Sequence, residues 1–275
     1  MGAEEYRVSQ LRKLFAPVAA LAGWLVLSVL LLPLAYGLWV SFSPDELLRP
    51  PTSDWSLRWY DLFFRSPRWM DALWNSLIVA TLSVTGSLLT GVPLALAVVR
   101  CRFRGRRLLS ATVLLPLCVP PVGLGMGLLP VMYLLGLWGT LVGLALAHCL
   151  VTMPVVYLVT RATLEEVSPD LEEAARGLGA SPLQTLWRVT LPLLRPALLA
   201  GATMSLILSL NEFLLSLFLA TPETETLPRV IWPELRYALS PLVAVASCVT
   251  ILATLGALAL LNGVRRLDRW IKGTS

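Results

Sequence analysis

Charge is what this chain has little of. Asp, Glu, Lys and Arg make up 14% of its 275 residues, against roughly a quarter in soluble globular domains. The scarcity excludes an ordinary water-soluble fold and confines charge to loops. Lysine is nearly absent, occurring at Lys13 and Lys272. Neither stands in the Gly-x-x-x-x-Gly-Lys-Ser/Thr loop that cradles phosphates, so the chain is not its own nucleotide motor of that type. Histidine occurs once, at His148. A proton relay normally needs more than one titrating partner, so a helix-packing role is expected of it. The sequence also lacks the cluster of catalytic residues or metal ligands that a membrane-embedded enzyme requires. Of the four cysteines, Cys118, Cys149 and Cys248 lie in apolar stretches and Cys101 in an arginine-rich one. None is spaced as a metal or redox pair, and buried free thiols in packing roles are expected.

Apolar sequence is abundant. Hydrophobic residues reach 56% and the mean hydropathy is +0.74. The runs are continuous rather than alternating, which fits a polytopic α-helical membrane protein and not a β-barrel. A hydrocarbon core about 30 Å thick takes ~20 helical residues, and six segments qualify: 15–41, 73–99, 108–135, 139–160, 196–220 and 240–262. The first follows Arg12 and Lys13 as a secretory signal would, but its apolar run is about twice the ~7–15 residues of such a signal, so it reads as a retained anchor.

The pI near 9.3 does not call for nucleic acid, because the arginines fall at the ends of spans, where they orient the chain in a membrane. With the N-terminus in the cytoplasm, 16 of the 22 basic residues lie in inner segments, including Arg100, Arg102, Arg104, Arg106 and Arg107. The other six are Arg49, Arg58, Arg65, Arg68, Arg229 and Arg236. The positive-inside rule then places both termini in the cytoplasm. The outer loop 42–72 carries Trp55, Trp59, Tyr60 and Trp69, with Trp74 just past its end, and these are expected as an interfacial aromatic belt. In the third span, Pro116, Pro120, Pro121 and Pro130 break the hydrogen bonding, and Gly123 and Gly127 form a small-xxx-small pair. Packing and lining of a pathway are both open for that span.

Between the fourth and fifth spans lies a polar island. Ser168-Pro169-Asp170 opens a helix, with Ser168 as cap, Pro169 in the first turn and acids at the positive dipole end. The helix is expected over 170–178, ended by Gly179 in a left-handed cap. Ser181-Pro182 then starts a second helix running through Leu183, Leu186, Trp187 and Val189 to Leu191-Pro192.

This island resembles the signature of permease subunits of binding-protein-dependent ABC importers: Glu-Ala-Ala, three residues, Gly, nine residues, an aliphatic, one residue, Leu-Pro. Here it reads Glu173-Ala174-Ala175, Gly179, Val189 and Leu191-Pro192. The resemblance extends over about residues 70–262. Within the family the chain looks most like the spermidine/putrescine group, on Leu206-x-x-Ser209-Leu210-Asn211-Glu212-Phe213, Thr226-Leu227-Pro228, Ile231-Trp232 and Ser240-Pro241. Relatives handling iron(III), phosphonate or sulfate carry similar residues.

The resemblance implies an all-α integral membrane fold of six transmembrane helices with a cytoplasmic coupling helix, the type I permease fold of ABC importers. Residues 1–72 would be the variable N-terminal part, 73–262 the permease domain and 263–275 a cytoplasmic tail. It also implies a multi-pass protein of the bacterial cytoplasmic membrane, paired with a second permease subunit. Two cytoplasmic ATPase subunits would bind the ATP and Mg, with no cofactor in this chain and no catalysis by it. An extracytoplasmic solute-binding protein would meet the outer loops, especially 221–239, and no nucleic acid is a partner. Glu173 would pair with a basic group of the ATPase, Ala174 and Ala175 would permit close docking, Gly179 would set the turn, and Leu191-Pro192 closes the signature.

Glu212 is the one acidic residue deep in an expected span, where a charge costs at least ~2.5 kcal/mol on insertion scales. With Asn211 and Ser209 it is a candidate for the translocation pathway, the alternative being a structural hydrogen bond at a subunit interface or outer gate. A secondary transporter would need more intramembrane charge and broken helices in both halves. One Glu and one broken span fit that reading poorly.

Overall fold

The computed structural model describes the backbone of residues 3–51 and 54–272 and the side chains of 16–51 and 54–259. Regular structure among the described residues is helical throughout, in agreement with the all-α expectation. Helix α1 (Ala3–Val40) is followed by a short α2 (Arg58–Arg65) and by α3 (Pro67–Arg100). Then come α4 (Arg106–Cys118), α5 (Pro121–Leu134) and α6 (Leu141–Glu166). Helices α7 (Asp170–Gly177) and α8 (Pro182–Thr185) precede the long α9 (Leu191–Leu210). Short helices α10 (Leu214–Leu219) and α11 (Leu227–Pro233) lead to α12 (Leu242–Lys272).

Among the described residues, five helices are long and apolar enough to cross a membrane: Ala16–Val40, Pro67–Arg100, Leu141–Glu166, Pro182–Leu210 and Leu242–Ala259. The pair α4–α5, bent by 106°, passes the same test taken together and makes six when counted as one span. Pro93 in α3, Pro154 in α6 and Pro196 in α9 leave their helices unbroken. The break comes where Pro120 and Pro121 stand together, since each lacks an N–H and pushes its predecessor out of the helical region. The fifth span differs from its expected bounds of 196–220. It starts at Pro182, passes through a π-turn at Leu186–Thr190, and ends at Leu210. Asn211–Phe213 interrupt it before α10 resumes.

The centre of the bundle is α3, α6 and α9. Contacts advance together along α3 and α6 (Ser87 with Cys149, then Arg100 with Val167), so these two run parallel. They retreat along α9 (Gly201 against Val156, Ser209 against His148), which runs antiparallel. Lipid offers helices no hydrophobic reason to associate, so close approach through small residues and interhelical hydrogen bonds must hold them. At Gly91 a Cβ would lie 3.1 Å from the Met153 carbonyl oxygen and 3.2 Å from the Tyr157 nitrogen. On the other side of the same α6 turn, a Cβ on Gly201 would meet Val156 Cα at 3.4 Å.

Buried hydroxyls finish the joint. Thr152 Oγ1 donates to the His148 carbonyl at 3.0 Å. Its lone pairs therefore accept from Ser83 at 3.0 Å and Ser87 at 2.7 Å, both on α3. Ser205 of α9 donates to the Thr152 carbonyl at 3.4 Å.

Several expectations change in detail. Gly123 and Gly127 do not form a packing pair: nothing approaches Gly127, and Gly123 meets only Val119 of its own neighbourhood. The packing glycine of this segment is Gly125, which seats the Phe218 ring of α10. Trp59 and Trp69 are interior rather than part of a belt, clustering with Phe63, Leu227, Val245 and Val249, while Trp55 and Trp74 stay exposed. Cys248 is buried and Cys149 half-buried, but Cys101 and Cys118 are exposed on this chain.

Replacing Gly91 with Val forces a branched side chain against α6 backbone. It is expected to destabilise the bundle by about 1–3 kcal/mol, as overpacking generally does, whereas Gly127→Val should be neutral. Thermal unfolding of the detergent-solubilised chain, followed by scanning fluorimetry, distinguishes the two.

Candidate functional site

The polar island folds as a tight helical hairpin at the arginine-rich end of the bundle, beside the end of α3. Helix α7 carries Asp170, Glu172 and Glu173 in its first turn, where the helix dipole favours them. It stops at Gly177, one residue short of the expected bound. Ser168 does not take the cap position, which belongs to Pro169. Its hydroxyl instead accepts from the Asp170 N–H at 3.2 Å and donates to the Asp170 carboxylate at 2.9 Å. Gly179 takes φ +88°, a conformation that side chains resist. The Gly179 N–H donates to the Arg176 carbonyl at 2.9 Å and the Ala180 N–H to the Ala175 carbonyl at 3.1 Å, which closes α7 as a left-handed glycine cap does. The chain restarts at once through a reciprocal box: Ser181 Oγ accepts from the Gln184 N–H, and Gln184 Oε1 accepts from the Ser181 N–H. The second helix expected here is the start of the fifth span itself.

Glu173, Ala174 and Gly179 are exposed, and Ala175, Leu191 and Pro192 are half-buried. Around them Leu171, Leu183 and Trp187 lie open, and Leu178 is 91% exposed at the tip. An apolar, unpartnered surface of this kind is a candidate for protein or membrane contact.

The neighbouring acid has the opposite fate. Glu172 is buried, and its Oε1 accepts from Arg100 Nε at 3.1 Å and from Thr190 Oγ1 at 3.2 Å. Arg100 also donates from Nη2 to the Val167 carbonyl at 3.0 Å. One carboxylate thus joins the last residue of α3, the hairpin and the π-turn ahead of α9.

The pathway candidates lie at the interruption after α9. Asn211 is exposed, and its amide donates back to the Ile207 carbonyl at 2.8 Å. Glu212, half-buried, accepts the Leu215 N–H at 3.0 Å and so caps the first turn of α10. It sits beyond the last turn of α9 rather than deep within a continuous span. Ser209 is buried and hydrogen-bonds His148 Nδ1 at 2.8 Å, while His148 Nε2 lies 3.4 Å from Ser216 of α10. His148 therefore fills the helix-packing role, bridging hydroxyls on either side of the interruption.

At the far end, the loop after α10 is stitched to the start of α3. Asn75 Nδ2 donates to the Glu223 and Glu225 carbonyls at 3.1 and 3.0 Å, and the Leu227 N–H donates to Ser76 Oγ at 2.8 Å. Glu225 pairs with Arg68 at 3.2 Å and with Arg229 at 3.6 Å. Burial pulls the Arg229 guanidinium below the ordinary arginine range, Glu225 opposing the shift. Glu225 and Arg229 are thereby engaged within the chain, whereas Glu223 and Arg236 remain exposed.

Residues 87–273 match the family described as binding-protein-dependent transport system inner membrane component. The chain belongs to this family. The putrescine transport system permease protein PotI of Escherichia coli (strain K12) is 31% identical over 208 residues, covering 73% of this chain and 74% of PotI. The molybdenum transport system permease protein ModB of Mycobacterium bovis is 34% identical over 220 residues, covering 72% and 83%. The fold matches a chain of a bacterial alginate ABC transporter, solved with a periplasmic protein bound to alginate pentasaccharide. The TM-score is 0.73 at 18% identity, over 94% of this chain and 98% of that one.

For this permease, sequence reasoning located the hairpin but did not join Glu172 to Arg100 and Thr190. Glu172 and Glu173 are adjacent acids in one helical turn, and only the ~100° rotation between them, set against the position of α3, separates the buried acid from the exposed one. Breaking a buried ion pair costs about 3–5 kcal/mol, so Glu172→Ala is expected to free the hairpin from α3. Hydrogen exchange of 170–190 should accelerate markedly in that variant and stay unchanged in Glu173→Ala.

Proposed function

We propose that this permease forms one half of the solute pathway of an ATP-driven importer, with the 170–192 hairpin as the part a cytoplasmic ATPase grips. The observation that carries the reading is the exposed set Glu173, Ala174 and Gly179, ringed by Leu171, Leu178, Leu183 and Trp187 and covered by none of the other described residues. Glu173 pairs with a basic group of the ATPase, and the glycine cap holds the tip in register. The count of 16 inner against six outer basic residues supports a cytoplasmic hairpin and cytoplasmic termini. A second permease chain completes the pathway, two ATPase subunits hydrolyse ATP with Mg, and an extracytoplasmic binding protein meets the exposed part of the 221–239 loop. The membrane is the bacterial cytoplasmic membrane.

The solute is a polyamine in this reading. Glu212 supplies a carboxylate at the interruption of the fifth span, and a cation passing there gains an attraction that an oxyanion would not. The likeness to ModB favours a second reading, in which the solute is an oxyanion such as molybdate and Glu212 serves only as the cap of α10.

Proteoliposomes containing the complex and its binding protein test this directly. ATP-dependent uptake of labelled putrescine or spermidine is the expected result, and uptake of molybdate alone would sink the polyamine reading. Gly179→Leu should abolish co-purification of the ATPase, and Glu173→Arg should lower uptake by at least about tenfold, the effect of 1.4 kcal/mol. Glu212→Gln retains a cap acceptor but removes the charge. A rise of several-fold in the polyamine concentration for half-maximal uptake is expected, and an unchanged value removes Glu212 from the pathway.

A further inference from the structure

We propose that the arginine turn joining α3 to α4 is a binding site for the phosphate of an anionic phospholipid headgroup. From the functional reading it takes only the inner-face orientation.

Arg102, Arg104, Arg106 and Arg107 are all exposed, and none of their side chains makes a hydrogen bond or ion pair among the described residues. Neighbouring arginines behave differently: Arg100 is bound to Glu172 and Arg161 to Glu165 at 2.8 Å. The turn at Gly105 brings Arg102, Arg106 and Arg107 around one hollow, whose remaining wall is Phe103 and Leu108. Arg106 and Arg107 also border a second hollow, formed with Val98 and Val99 of α3 and with Ser110 and Arg161. Its one acid, Glu165, is already neutralised by Arg161. Two guanidinium groups are therefore shared between two adjoining hollows, and no carboxylate among the described residues answers them.

Orienting a membrane protein requires a count of positive charges on one side. It does not require them to converge. Guanidinium groups bind phosphate oxygens through paired N–H donors, and weak hydration lowers their cost of leaving water. The apolar surroundings favour a lipid over a free anion. Leu108 is 72% exposed and Leu115, two turns further along the same face of α4, also lies open, so the helix presents leucines just beyond the arginines. A headgroup held by Arg106 and Arg107 leaves its acyl chains against that face. Basic clusters at the cytoplasmic ends of spans attract anionic lipid by about fivefold per arginine.

The test is native mass spectrometry of the complex, purified with its ATPase, delipidated, then loaded with phosphatidylglycerol or phosphatidylcholine. The wild type is expected to retain phosphatidylglycerol selectively, and the Arg106→Gln/Arg107→Gln pair to lose about 25-fold of that selectivity, fivefold for each charge. Equal retention by both proteins overturns the proposal. The Arg106→Lys/Arg107→Lys pair keeps the orienting charge, so it reports even where the glutamine pair fails to insert. It should lose selectivity a few-fold, and an unchanged preference again overturns the site. Displacement of the lipid by millimolar inorganic phosphate would identify a free-anion site instead and overturn the lipid assignment. Co-purification of the ATPase is read in the same spectra. Its loss with lipid selectivity intact would sink the coupling reading and leave this one standing.

Discussion

In hydrocarbon an unpaired peptide group has nothing to bond to, and every interruption of a span must be closed by the protein itself. The interruption after α9 shows how. The Asn211 side chain takes the Ile207 carbonyl, the Glu212 carboxylate takes the Leu215 N–H, and the His148 ring reaches Ser209 on one side and Ser216 on the other. Side chains that look chemically active are thus first of all the means by which a helix stops and restarts within the bundle. The same constraint explains the buried hydroxyls of α3, which bond Thr152 in preference to leaving any lone pair idle.

At the arginine-rich end the governing interaction is electrostatic. Glu172 gathers Arg100 and Thr190, and with them the end of α3, the hairpin and the entry to α9. Its neighbour Glu173 is left to face outward. The proposed coupling role would use both kinds of acid: one that fastens the hairpin to the bundle and one that remains available to a partner. Adjacent positions in a single helical turn provide them.

The hairpin was legible because its steps demand particular residue types: Gly179 for the left-handed cap and Ser181-Pro182 for the restart, whose closing partner Gln184 emerged only in the structure. Continuous apolar runs made most of the spans equally plain. The break in the third span was legible in its prolines, but not its place or its 106° angle, since Pro93, Pro154 and Pro196 are written in the same letter as Pro120 and leave their helices unbroken. The truncated fifth span was hidden for a similar reason: Phe213 to Leu219 is apolar enough to continue a span, and only the capping by Glu212 reveals the restart. Which of two adjacent acids is buried, and which glycine of 123, 125 and 127 packs, depends on neighbours distant in the chain. Local pattern carries no record of them.

Val156 is flanked by two glycines, Gly91 of α3 and Gly201 of α9, with no side chain on either to yield. Sliding one helix past another would drive that valine into main chain, so the packing there opposes shear between α3, α6 and α9. Under the proposed coupling, a displacement applied where Glu172 fastens the hairpin would pass along the three helices together rather than be lost between them. The joint at 211–213 lies past that triplet, where backbone bonds from the Asn211 and Glu212 N–H groups and the side-chain bonds of the same two residues hold the turn.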